Sequence, residues 1–140
     1  MGSGIRNLQM LVVEDDQSVA DIVADIARAT GFTVSITTDR NLPSVYSSSK
    51  PDVIVLDLVM PDKDGIETMQ FLSQHYSHAQ IVILSGQGEP IRQMAERMGK
   101  ALRLTIVDNL AKPFRVAVLR EKFAAIHASL SGGQSQRASH

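Results

Sequence analysis

Three short, β-branched apolar runs each end in a charged or hydroxyl side chain. Leu11-Val12-Val13 leads into Glu14-Asp15-Asp16, Val53-Ile54-Val55-Leu56 into Asp57, and Ile81-Val82-Ile83-Leu84 into Ser85. A fourth stretch, residues 105–111, delivers Lys112. Runs this short and this uniformly apolar read as strands covered on both faces, the condition of a parallel sheet, and in such sheets ligands bind outside the carboxyl ends. If the runs share one sheet, that edge carries three carboxylates, a hydroxyl and an ammonium. Carboxylates about 4 Å apart repel by roughly 4 kcal/mol at a protein-like effective dielectric, so the set calls for a cation. Mg2+ suits it: a hard ion that keeps several waters and is held by one or two carboxylates together with phosphate oxygens.

Length and composition bound the rest. A chain of 140 residues, 44% of them hydrophobic, can bury one ordinary core, so a single domain is expected. Fourteen basic residues against fifteen acidic ones give a net charge of −1, and no basic stripe recurs along a helix, so direct nucleic-acid binding is not expected. There is no cysteine, which excludes disulfide and thiol chemistry and agrees with a reducing compartment. No secretory pattern opens the chain and no apolar stretch approaches a membrane span, so a cytoplasmic protein without membrane association is the expectation.

Strand-like and helix-like segments alternate, the pattern of βα units. Val19, Ile22, Val23, Ile26 and Ala27 recur at helical spacing, with Asp16 placed to cap the start and Gly31 to end the helix. Residues 32–37 read as the second strand and 41–48 as a short helix with Pro43 in its first turn. Met60-Pro61-Asp62-Lys63-Asp64-Gly65 reads as a tight loop, followed by a helix marked by Ile66, Met69, Leu72 and Tyr76. Ile91, Met94, Ala95, Met98 and Leu102 mark the fourth helix. Pro113 is placed to open the last, with Val116, Leu119, Phe123 and Ile126 as its buried stripe. Residues 130–140, rich in Ser, Gly, Gln and Arg, read as a disordered tail or linker, and residues 1–6 as a flexible N-terminus.

Four motifs in order carry a resemblance: Glu14-Asp15 after strand one, Asp57-Leu58-Val59-Met60-Pro61-Asp62-Lys63-Asp64-Gly65 after strand three, Ser85 after strand four, and Lys112-Pro113-Phe114. Together they resemble the receiver domain of two-component response regulators, over residues 7–129. The resemblance implies an α/β, flavodoxin-like, doubly wound five-stranded parallel sheet of order 2-1-3-4-5, which would bring Asp15 and Asp57 to one crevice. It implies that Asp57 is the phosphoacceptor, taking a phosphoryl group from a histidine kinase, a phosphotransfer protein or a small donor. Mg2+ would be bound by Glu14, Asp15, Asp57 and the Val59 carbonyl. Lys112 would pair with Asp57 at rest and with a phosphoryl oxygen afterwards, and Ser85 would donate its hydroxyl. The domain would then be a regulatory phosphoprotein rather than an enzyme acting on an outside substrate, controlling an effector domain or a partner protein.

Two features depart from the common pattern. The position three residues before the lysine, usually Tyr or Phe in receivers, is Asn109, and the stretch from Ser85 to Lys112 is about a helical turn longer than in short receivers. That longer stretch, with Ser85-Gly86 and Leu110-Ala111-Lys112-Pro113-Phe114, is similar to receivers ahead of EAL-type cyclic-di-GMP phosphodiesterase domains; a stand-alone receiver fits the residues equally well. Two other function classes are weighed. A degenerate receiver acting as a constitutive docking module is opposed by the intact Asp15, Asp57, Ser85 and Lys112. A haloacid-dehalogenase-type phosphohydrolase would place an acid two residues after its nucleophile, where this chain has Val59. Asp16, Asp62 and Asp64 read as caps and turn formers, Asp52 as a solvated residue, and His127 as solvent-facing.

Overall fold

Ten elements alternate strictly: β1 (Gln9–Val13), α1 (Gln17–Ala29), β2 (Thr33–Thr37), α2 (Leu42–Ser49), β3 (Val53–Leu58), α3 (Lys63–Gln74), β4 (Gln80–Ser85), α4 (Glu89–Ala101), β5 (Thr105–Ala111) and α5 (Val116–Ala138). This computed structural model describes residues 7–38, 40–58, 63–75, 78–86 and 88–138, apart from the side chains of 63–66, 91 and 133–138. All five strands are parallel and lie in the order β2-β1-β3-β4-β5, as the resemblance implied. No helix among the described residues is long and apolar enough to cross a membrane.

The apolar runs are buried on both faces because each strand sends alternate residues to opposite layers. Met10, Val12, Val55 and Val82 pack under α1 and α5 against Val23, Leu119 and Phe123. Leu11, Ile54, Ile81 and Ile83 face the other layer, against Leu42, Leu72 and Ala95. Asp16 caps α1 by accepting from the Ser18 and Val19 N–H groups. Gly31, at φ +109°, follows the helix end, and a Cβ there would come within 2.8 Å of His127 Nε2. Both the backbone and the available space therefore require glycine.

Several expectations are corrected. Ile22 is 47% exposed, because α1 turns its small residues Ala20 and Ala24 to the sheet, where they allow close approach. Val116 is 45% exposed: α5 begins there rather than at Pro113, and its first buried residue, Leu119, comes a turn later. His127 is half-buried, its ring edge-on to Phe32 with centroids 5.0 Å apart. Asp52 is also half-buried and accepts the Gln9 N–H at 2.8 Å. α5 runs past position 129 to Ala138, and its anchoring fades along the way, with Ile126 buried and Leu130 only half-buried. Tyr76 and residues 1–6 and 59–62 lie outside the described residues.

The edge strand β5 contains a bulge. Ile106 pairs with Ile81, but the next residue of β4, Val82, pairs with Asp108, leaving Val107 as an extra residue that is 39% exposed. A bulge of this kind re-aims the side chains beyond it and blunts an exposed edge. Ile106 and Asn109, three positions apart, consequently both face α4, while Asp108 faces α5 and pairs with Lys122 at 3.3 Å.

Candidate functional site

The four strand ends converge at the carboxyl edge. Val13 pairs with Leu56, so the next residues along the two strands, Glu14 and Asp57, stand side by side. Ser85 ends β4 fully buried, and its carbonyl accepts the Lys112 N–H at 2.8 Å, which fixes where the lysine leaves β5. Lys112 Nζ then lies 2.9 Å from Asp57 Oδ1 and 3.3 Å from Glu14 Oε1. The two carboxylate side chains are 2% and 3% exposed, and that of the lysine is 24% exposed.

One ammonium against two buried carboxylates leaves a surplus of negative charge. Among the described residues no aligned hydrogen-bond donor reaches either oxygen of Asp57, although the Lys112 ammonium lies 2.9 Å from Oδ1. Glu14 absorbs part of the surplus. Burial first, then a hydrogen bond to Asp57, push its carboxyl up from 4.5 to about 7, against the opposing pull of the Asp16 N–H and Lys112. A proton on Glu14 supplies Asp57 with the donor it otherwise lacks. Burial works against the charge on Lys112, but its contacts with Asp57 and Glu14 outweigh that and hold its pKa above the ordinary value.

A stability profile follows from the raised Glu14 carboxyl. The folded state holds the Glu14 proton more tightly than the unfolded chain, so this contribution is fully present below pH 4.5 and is lost as pH rises through about 7. Metal-free protein is expected to lose about 2 kcal/mol of unfolding free energy between pH 5 and 7 relative to Glu14→Gln. Urea titrations of both proteins with chelator present measure it; parallel profiles would show that Glu14 does not titrate in this window.

The structure brings together Glu14, Asp57, Lys112 and the end of β4 at Ser85, and leaves Asp15 exposed at the mouth. Asp15 lines a cavity of about 370 Å³ with Arg40, Leu42 and Glu67. Among the described residues, no three His, Cys, Asp or Glu side chains form a group that could hold a metal ion, and Val59 lies outside those residues. The donor chemistry nevertheless fits Mg2+. Two buried carboxylates, one with both oxygens lacking aligned donors among the described residues, adjoin an exposed acid, and this ion retains waters instead of requiring a full protein cage. Sequence reasoning missed Arg40 beside Asp15 and the bonds of Asn109 to α4. Arg40 belongs to no motif, and Asn109, at the position where receivers usually carry Tyr or Phe, has its partners set by contacts remote in sequence.

A family model described as the response regulator receiver domain matches residues 10–124. The chain is 33% identical over 115 residues to the KDP operon transcriptional regulatory protein KdpE of Escherichia coli K12, covering 81% of this chain and 48% of that protein. It is 26% identical to the chemotaxis protein CheY of Listeria monocytogenes, covering 77% of this chain and 88% of that protein. Against the probable C4-dicarboxylate response regulator DctR of Bacillus subtilis the identity is 28%, over 83% of this chain and 50% of that protein. The chain thus spans about half the length of DctR and of KdpE. Among solved structures, a response regulator from Colwellia psychrerythraea superposes with a TM-score of 0.74 at 26% identity, over 86% of this chain and 97% of that one.

Proposed function

This chain belongs to the response regulator receiver domain family, and on that footing we propose that it accepts a phosphoryl group on Asp57. The observation that carries the proposal is the buried Asp57 carboxylate, with no aligned hydrogen-bond donor among the described residues and the Lys112 ammonium 2.9 Å away. A carboxylate held in this way is available as a nucleophile, and the lysine beside it can follow the charge.

An Asp57 oxygen forms the new O–P bond as the donor's P–N bond, in a phosphohistidine, or P–O bond, in an acyl phosphate, breaks. The electron pair leaves with the donor fragment. Transfer of this kind has a loose transition state and depends mainly on positioning and charge compensation. Lys112 shifts from Asp57 Oδ1 to a phosphoryl oxygen, and the Ser85 hydroxyl turns to another. Glu14, Asp15, Asp57 and the Val59 carbonyl would hold Mg2+, which when bound neutralises charge on the phosphoryl oxygens. The domain is a regulatory acceptor rather than an enzyme with an outside substrate. It acts in the cytoplasm, with a histidine kinase or phosphotransfer protein upstream and an effector domain or separate protein downstream.

The test is intact mass after incubation with acetyl phosphate. One phosphoryl group is expected with Mg2+ and none with chelator. Asp15→Ala should need at least about tenfold more Mg2+ for half-maximal labelling. Labelling indifferent to Mg2+ would remove the metal from the reading, and an unchanged requirement in Asp15→Ala would remove Asp15 from the ligand set.

A further inference from the structure

Resting on the phosphoacceptor reading and on Asp15 as one of the Mg2+ ligands, we propose that Arg40 is a specificity-determining residue of the site, a cation beyond Asp15 that weakens the resting hold on Mg2+ and strengthens the hold on an anionic phosphoryl group. The placement is built by two neighbouring strands. Val13 pairs with Thr37, and the Glu14 N–H donates to the Thr37 carbonyl at 3.0 Å, so the chain leaving β2 runs beside the chain leaving β1. Thr38 Oγ1 then accepts the Asn41 N–H at 3.2 Å, a turn that keeps Arg40 at the carboxyl edge. Asp15, Arg40 and Glu67 consequently share the walls of one cavity of about 370 Å³, whose apolar part is supplied by Leu42 and Phe71.

Local structure supplies no other reason for an arginine at this position. Arg40 immediately precedes Asn41, the N-cap of α2, where the helix dipole favours acids and opposes cations, and the first turn of α2 carries no acid. The side chain is exposed, so it is not held for its packing. Among the described residues it forms no ion pair, with Asp15 or with any other carboxylate. Its charge therefore acts on what enters the mouth, and the apolar wall of the cavity limits the water that would screen it. Ligands of opposite sign feel that charge in opposite ways. The guanidinium repels a divalent cation at Asp15 and attracts a phosphoryl group at the adjoining Asp57. When Mg2+ and a dianionic phosphoryl group are present together the two effects offset, so Arg40 loosens the metal at rest without loosening it after transfer.

Two NMR titrations of the full chain at low salt test this. Backbone amide shifts of residues 13–16 read Mg2+ binding, and fluorine NMR reads the binding of beryllofluoride, an anionic phosphoryl mimic, at saturating Mg2+. Arg40→Gln should bind Mg2+ about threefold more tightly and beryllofluoride about twofold more weakly. Arg40→Lys, which keeps the charge, should follow the wild type in both. Glu67→Gln, which removes the opposite charge from the same cavity, should bind Mg2+ about threefold more weakly. At about 0.5 M salt the difference between Arg40→Gln and the wild type should vanish, since exposed charges are then screened. A merely structural role would shift both affinities in the same direction. Changes of one sign in Arg40→Gln, an unchanged affinity for either ligand, or an Arg40→Lys that behaves like Arg40→Gln therefore overturn the proposal while leaving the acceptor reading in place. A wild type whose residues 13–16 do not respond to Mg2+ would instead overturn the ligand set, and this inference with it.

Discussion

Asp57→Asn is expected to take up no phosphoryl group from acetyl phosphate and Mg2+, a loss of at least about a hundredfold in labelling rate. The amide has nearly the shape of the carboxylate but is no nucleophile, so the fold should survive and only the chemistry disappear. The same substitution removes two of the causes that raise Glu14, the hydrogen bond to Asp57 and the repulsion of its charge. The Glu14 carboxyl should therefore return toward its ordinary value, flattening the acid side of the stability profile. Intact mass reads the first effect and urea titration the second. Equal labelling of wild type and Asp57→Asn would show that another residue is the acceptor.

Lys112→Met should leave Glu14 and Asp57 facing each other, both nearly fully buried, with the ammonium gone. Removing one partner from a buried ion pair costs about 3–5 kcal/mol. Since the lysine is 24% exposed and Glu14 can take a proton, the lower end applies: about 3 kcal/mol at pH 8 without metal, and roughly 10 °C in Tm. The deficit should shrink below pH 6 as Glu14 protonates, and shrink again on adding Mg2+. Thermal unfolding at pH 5.5 and 8, with and without Mg2+, measures it. A destabilisation independent of pH would mean that the lysine acts through packing of its stem and not through its charge.

The legible parts of the chain were those whose physics is local. Contiguous runs such as Val53-Ile54-Val55-Leu56 can be satisfied only by burial on both faces, and all four expected strands with acidic, hydroxyl or basic ends occur, along with the weaker β2. The cap at Asp16 and the glycine after α1 were equally readable, since each acts within a turn of its own position. Helix faces were read less well. Periodicity marks an apolar arc but not its centre, so Ile22 and Val116 were assigned inward although both are exposed. The contribution of the alanines at 20 and 24 depends on how closely α1 approaches the sheet, a distance that hydropathy does not encode.

What the sequence by itself determined was the alternation of elements, the burial of the strands and the kinds of side chain delivered at the sheet edge, because composition within a run decides whether that run can be solvated. Only the tertiary structure decided which of these side chains meet. It sets Glu14 rather than Asp15 beside Lys112 and sends Asp15 to the mouth with Arg40. Through one extra residue at Val107, it also turns Asn109 toward α4. The reason lies in the pleat: side chains alternate with a period of two, so a single unpaired residue reverses every direction beyond it, and whether a residue is paired is settled by a neighbouring strand far away in sequence.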